Sequence, residues 1–323
     1  MRIIRNQDGT VGKYLHEDGA ETAIKSAPSC DAKLDRVTGK LVREAIDRNK
    51  WSIFLSSSAG CFVRCAFCHL TAADVRYRSL EGERIILDAK EAILAELDAN
   101  PSLADRHAKI CWMGMGEDHL ARPDVTRSIT NELARWLIDE GMAVGIDGVD
   151  LSTTLPRKLD DDAWIGALSG IEADLAAFAP NPNRREANGG RTRLFWSLHS
   201  EKDEIRRALI PGARAAAESA KVLRTFRERS GLSLVIHHLV LDGINDADED
   251  VLSLRSFLAE QGLDDAEFRI LRHNPARGSA IKESPRAAEI SARFDAILPS
   301  VKMQVSTGAE IMAACGQFIA EAA

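Results

Sequence analysis

A chain of 323 residues with 45% hydrophobic and 28% charged side chains can bury one large α/β core or two smaller ones. Its formal charge of −7 argues against a broadly basic nucleic-acid-binding surface, and no apolar run approaches the roughly 18 residues that a membrane helix needs. The opening MRIIRNQDGT lacks the apolar stretch of a secretory leader, so a cytoplasmic location with free thiols, no membrane association and no disulfides is expected.

Residues 1–48 read as a short N-terminal extension. Turn signals at Asp8-Gly9 and Asp18-Gly19 predict a hairpin, and KLVREAIDRN after them reads as a short helix. Cys30, in a Ser/Pro-flanked stretch, reads as a bystander thiol. From Trp51 the pattern changes. Strand-like runs WSIFLSS, KICWMGM, GVDLSTTL, TRLFWSLH, LSLVIHHLVL and EFRILRHN alternate with segments whose apolar positions recur at three and four, as helices buried on one face require. Alternating β and α implies a parallel sheet. Six such units over residues 49–300 predict an open, partial (β/α)6 barrel of the TIM type, with its chemistry at the C-terminal ends of the strands. Residues 301–323 form a C-terminal segment in which Cys315, by composition alone, reads as a small packed residue.

The first strand runs into SSSAGCFVRCAFC, which sets Cys61, Cys65 and Cys68 in the spacing C-x3-C-x2-C. Half of the 6 cysteines of the chain fall in this short window. Thiolates are the usual ligands of iron–sulfur clusters. Three of them around a four-iron cubane leave one iron open, the mark of a reactive metal site. Zinc is the competing reading, but it normally takes four ligands in two pairs, and His69, adjoining Cys68, is poorly placed to complete a tetrahedron.

Later strand ends supply candidates for ligand contacts. Gly114, Met115, Gly116 and Glu117 form a GMGE turn whose glycines allow close backbone approach to a ligand and whose carboxylate can accept from an amine. Ser152, Thr153 and Thr154 end the third strand, and Ser197, His199 and Ser200 end the fourth. Their hydroxyls suit a carboxylate or ribose, while Ser200 also reads as a helix N-cap and His199 as either a ligand contact or a satisfied structural histidine. The loop PNPNRREANGGR reads as a polar surface insert or a basic patch. His237 and His238 alternate faces of the fifth strand, so at most one points inward, and neither reads as a metal ligand. Asn274 ends the sixth strand, where an amide can read a base or ribose edge. Cys111, between Ile110 and Trp112, reads as a core thiol.

The cysteine spacing resembles the radical S-adenosylmethionine (radical SAM) superfamily. The ordered segments SSSAGCFVRCAFC, YRSL, WMGMGE, LSTTL, SLHSEKDEIRRALIP, VLDGIND, NPARGSA and STGAEIMAACGQ, spread over residues 50–317, resemble its RlmN/Cfr family of RNA (adenine) methyltransferases. The resemblance implies a [4Fe-4S] cluster on Cys61, Cys65 and Cys68. It also implies SAM at the open iron, held by the GMGE segment and the strand ends, and an electron donor such as flavodoxin or ferredoxin. It implies an RNA substrate and a two-cysteine mechanism. One SAM methylates Cys315, and a second gives a 5′-deoxyadenosyl radical that activates that methyl for addition to an adenine carbon. A second cysteine, two residues before the SS of SSSAGC, then releases the protein–RNA crosslink. Here that position is Phe54, which cannot attack. The family's N-terminal accessory RNA-binding domain is also not expected on this chain. Two alternatives therefore stay open: a radical SAM enzyme abstracting hydrogen from a small-molecule, nucleotide or protein substrate without methyl transfer, and a non-catalytic binding protein.

Overall fold

The computed structural model describes all residues except 27–28, 35–40, 47–48, 185–189, 277–278, 305–306, 315–316 and 318–323, and the backbone alone of 29–34 and 41–46. In chain order the N-terminal strands are β1 (Arg2–Arg5), β2 (Val11–Leu15), β3 (Glu21–Lys25), β4 (Ser29–Leu34), β5 (Leu41–Ile46) and β6 (Lys50–Phe54). The short β7 (Ser58–Ala59), α1 (His69–Ala72) and β8 (Arg78–Ser79) bracket the cysteine loop. Then follow α2 (Gly82–Ala99), β9 (His107–Trp112), α3 (Asp118–Ala121), α4 (Pro123–Asp139), β10 (Gly145–Thr153), α5 (Asp161–Leu175) and β11 (Thr192–Ser197). The chain continues through α6 (Asp203–Leu209), α7 (Ala216–Ser230), β12 (Ser233–Leu239), α8 (Asp248–Glu260), β13 (Glu267–Leu271), α9 (Ala287–Ile297) and β14 (Val301–Gln304).

All but β7 and β8 form one sheet in the order β1-β2-β3-β6-β9-β10-β11-β12-β13-β14-β4-β5. The neighbours from β6 to β14 are parallel. The antiparallel meander β1-β2-β3 joins at β6, and the hairpin β4-β5 joins at β14. The fold is thus mixed α/β around a large, mostly parallel sheet. Three expectations are corrected. β14 adds one parallel strand to the six expected; VKMQ is too short to show a period, and it becomes a strand by pairing with β13. Residues 41–46, expected as helix, are a strand paired to 29–34, because a short apolar run carries no decisive period and strand pairing settles it. The expected N-terminal hairpin is a three-stranded meander.

The two faces of the sheet differ. One carries Ile53, Ile110, Val149, Leu194 and Ile236, all at 0% exposure and continuous with the helices in the main core. The side chains between them in sequence form a buried charged layer. Asp150 pairs with Lys109 and, at 2.8 Å, with Arg193, while Phe195 lies under the guanidiniums of Arg193 and Arg269 at 5.0 and 5.3 Å. Burial acts against the Asp150 charge, but Arg193 and Lys109 hold its carboxyl well below the usual range. The paired histidines divide as the strand period requires. His238 faces Phe268 and Phe294 of the helix side at 5.6 and 5.9 Å, and His237 faces Phe195 at 4.9 Å. Among the described residues no helix is long and apolar enough to cross a membrane.

Candidate active site

The serine run after β6 and the GMGE turn after β9 are built into one another. Met115 N donates to Ser56 Oγ (2.9 Å), Ser57 N to Met115 O (2.9 Å) and Asp118 N to Ser57 Oγ (3.1 Å). A Cβ on Gly114 would meet Leu55 O at 2.6 Å, and one on Gly116, whose φ is +88°, would meet Ser58 Oγ at 1.9 Å. The close approach that demands both glycines is therefore to the chain's own segment Leu55–Ser58. Glu117, buried at the end of this turn, accepts from Thr153 Oγ1 (2.9 Å) and Thr154 N (2.7 Å). Burial pushes its carboxyl up to about 7 against the pull of those hydrogen bonds.

The cysteine loop is clamped to the end of α6 and the segment after it. Ala66 N donates to Leu209 O (2.8 Å) and Gly212 N to Val63 O (3.3 Å). Cys68 starts α1, and His69 Nε2 lies 3.0 Å from Asn274 O, which ties the loop to the end of β13. All three thiols are half-buried. Burial first, then the Glu117 charge, pushes Cys61 up to about 12, while the Val63 and Arg64 amides pull the other way. Burial and the neighbouring Cys68 and Cys61 raise Cys65 well above the thiol range. Such thiols are poor free nucleophiles. Iron supplies the positive charge that would hold them together as thiolates, so this donor set fits a cluster. The donor set and the nearby Glu117 acceptor, whose charge acts on Cys61 and Cys65, likewise suit SAM, whose amine needs an acceptor.

The strand-end residues converge on the same end of the sheet. Ser152 O accepts from His119 Nε2 (2.8 Å), and Ser197, half-buried, sits in register with His237. His199 has φ +59° and is buried. Its Nδ1 accepts from Leu239 N (3.0 Å), and its ring meets Phe67 of the cysteine loop edge-on at 4.9 Å. Burial holds its pKa well below the usual value, so the ring is neutral with its proton on Nε2. Ser200 does not cap α6. Its Oγ accepts from Lys202 N (3.1 Å), and the helix starts at Asp203.

Arg206 had no sequence signal beyond its place in a helix after a strand. It is buried and donates to Arg214 O (2.9 Å), Ser197 O (2.9 Å) and Thr154 O (2.8 Å). No carboxylate lies within 4.0 Å of it among the described residues. It is the cation that Cys65 and Glu117 feel. Cys111 is buried, but on the charged face, in register with Phe54 and Asp150. Burial and Asp150 push its thiol up to about 12.

Cys315 and Cys30 are not placed in the same way: Cys315 lies outside the described residues, and only the backbone is described at Cys30. The chain leading to Cys315 is described. Lys25 Nζ donates to Thr307 O (2.8 Å) and the buried Lys13 Nζ to Met312 O (2.9 Å). Ala313 is buried in an apolar cluster with Val11 and Met115, against which Cys61, Cys68 and Phe54 pack.

No protein-family model matches the chain. It is similar to the probable dual-specificity RNA methyltransferase RlmN of Rhodopirellula baltica, 30% identical over 278 residues that are 84% of this chain and 65% of the relative. It is similar also to the dual-specificity RNA methyltransferase RlmN of Campylobacter jejuni, 27% identical over 328 residues that are 98% and 80% of the two chains. The chain thus spans just under two thirds of the length of the Rhodopirellula relative. Its fold is similar to that of a crystallised radical SAM methyltransferase from Sphaerobacter thermophilus, with TM-score 0.65 and 22% identity over 98% of this chain and 80% of the other. Over most of its length the chain is thus similar in sequence to RlmN methyltransferases, and in fold to a radical SAM methyltransferase.

Proposed function

We propose that the chain is a radical SAM enzyme and a divergent RlmN/Cfr-like methyltransferase, with Cys61, Cys65 and Cys68 holding a [4Fe-4S] cluster and Cys315 carrying the methyl group. The two-faced sheet supports a partial barrel with the charged layer inward. When bound, the cluster supplies the electron that splits SAM to a 5′-deoxyadenosyl radical. The chain's own residues do the rest. Glu117, fixed by Thr153 and Thr154, accepts from the cofactor's amine. Gly114, Met115 and Gly116 would border it, and Ser152, Ser197, His199 and Asn274 would serve its remaining polar groups. The Cys315 sulfur attacks the sulfonium methyl, and S-adenosylhomocysteine leaves.

The observation that carries this reading is the packing of Ala313, two residues before Cys315, in the apolar cluster against which Cys61 and Cys68 pack. The printed names of the relatives support RNA as substrate, and the reaction needs an external one-electron donor of the flavodoxin or ferredoxin type. A second reading, hydrogen abstraction without methyl transfer, is favoured by Phe54 at the resolving position. Anaerobic reconstitution with SAM and a reductant separates the two. 5′-Deoxyadenosine together with a methyl on the Cys315 peptide is expected; deoxyadenosine without that methyl selects the second reading, and neither product refutes both.

A further inference from the structure

The segments after β10 and β11 enclose a cleft of about 310 Å3 that includes Arg157, Arg206, Arg207 and Arg214 against only Asp203 and Glu218. On a chain of formal charge −7 this is a local reversal of sign. The two buried guanidiniums are fixed. Arg206 is held by backbone carbonyls, and Arg214 by Pro156 O (3.2 Å) and Asp161 (2.7 Å). The acids offset the group only in part: Arg214 is paired with Asp161, and with Asp203 and Glu218 three carboxylates stand against four guanidiniums. Asp203 is occupied by Ala216 N (3.2 Å) at the start of α7, and Glu218 is 3.9 Å from Arg214. Arg157 and Arg207 stand exposed at the rim. Neither side chain has a hydrogen bond or ion pair among the described residues. Two free planar forks above two fixed buried cations make a receptor for a tetrahedral oxyanion, and the volume lies at the low end for ligand pockets, about 300–1,000 Å3.

The cleft is also coupled to the cysteine loop. Gly212 N donates to Val63 O (3.3 Å) and Gly212 O accepts from Arg157 N (3.2 Å), so an anion here sits at a fixed offset from the cysteines. We propose that this cleft binds a phosphate group of the substrate. The proposal deepens the reading given above and takes its purpose from it, but binding is measured without turnover, so each can fail alone. Two sources of phosphate fit, a nucleic-acid strand and a small phosphorylated molecule. The cysteine loop and its flank carry an exposed edge-to-face pair, Phe62 and Tyr77, with ring centroids 5.4 Å apart, on which a base of a strand can stack.

The test uses the full chain with its cluster reconstituted anaerobically, and the double variant Arg157→Gln/Arg207→Gln, whose replaced side chains are exposed. Inorganic phosphate is expected to raise the unfolding midpoint of the parent protein and not of the variant. A fluorescently labelled single-stranded RNA is expected to bind the variant about tenfold more weakly, with a salt slope lower by about 1.4. Phe62→Ala should weaken the RNA alone. Phosphate protection lost in the variant without any RNA binding supports the cleft and assigns it a small phosphorylated substrate. No protection of the parent by phosphate, or equal protection of the variant, overturns the proposal whatever the RNA does.

Discussion

At Gly116 a methyl group would land 1.9 Å from Ser58 Oγ on a backbone at φ +88°. Gly116→Ala is therefore expected to destabilise the fold by about 3 kcal/mol or more, read as a lower denaturant midpoint even without cofactors. An unchanged midpoint would mean that the glycine serves only a ligand. Cys61 tests the chemistry rather than the fold. Cys61→Ala should abolish iron loading and SAM cleavage, checked by iron content and 5′-deoxyadenosine, and retained turnover would refute the cluster assignment. Phe54, half-buried under the Lys25 ammonium at 4.8 Å, tests the missing thiol. If only the resolving group is lost, Phe54→Cys should increase methylated product released from a trapped protein–RNA adduct, seen as a mobility shift.

The segment 307–314, whose regular structure is a single 3-10 turn at Ala309–Ile311, shows how such a stretch is held. Lys13 and Lys25, projecting from β2 and β3, donate to its carbonyls, and Lys13 keeps its charge balanced by Glu21 at 2.8 Å. Gly308 turns the segment at φ +84°, and Ala313 N closes it by donating to Gly308 O (2.8 Å). Lys25→Met should cost about 1 kcal/mol overall and speed amide exchange at Ala313 several-fold while leaving β9–β12 unchanged. Uniform exchange across the chain would deny the lysine this local role.

Over the whole molecule, burial lowers the pKa of His119, His237 and His238. His119 donates from Nε2 to Ser152 O and stacks on Trp112 at 6.1 Å. Burial lowers its pKa to about 4. Between about pH 6.5 and 4 the unfolded chain takes up a proton that the folded chain refuses, so stability falls as pH falls through that window. The share of His119 is on the order of 3–4 kcal/mol. His119→Gln should flatten the dependence of the urea midpoint between pH 7 and pH 5; an equally steep profile would place the acid sensitivity elsewhere.

Local spacing was enough to read the alternation of strands and helices from Trp51, the cysteine triplet and the GMGE turn, because period, turn residues and ligand spacing are properties of neighbours in the chain. The strand identity of 41–46 and 301–304 was not legible, since partners distant in sequence confer it. The joining of the serine run to Gly114 and Gly116, the placing of Arg206 among carbonyls of three segments and the docking of Ala313 beside the cysteine loop are likewise long-range contacts. They were decided by tertiary structure, because no pattern in a short window records what a buried group will meet once the sheet has brought its strand ends together.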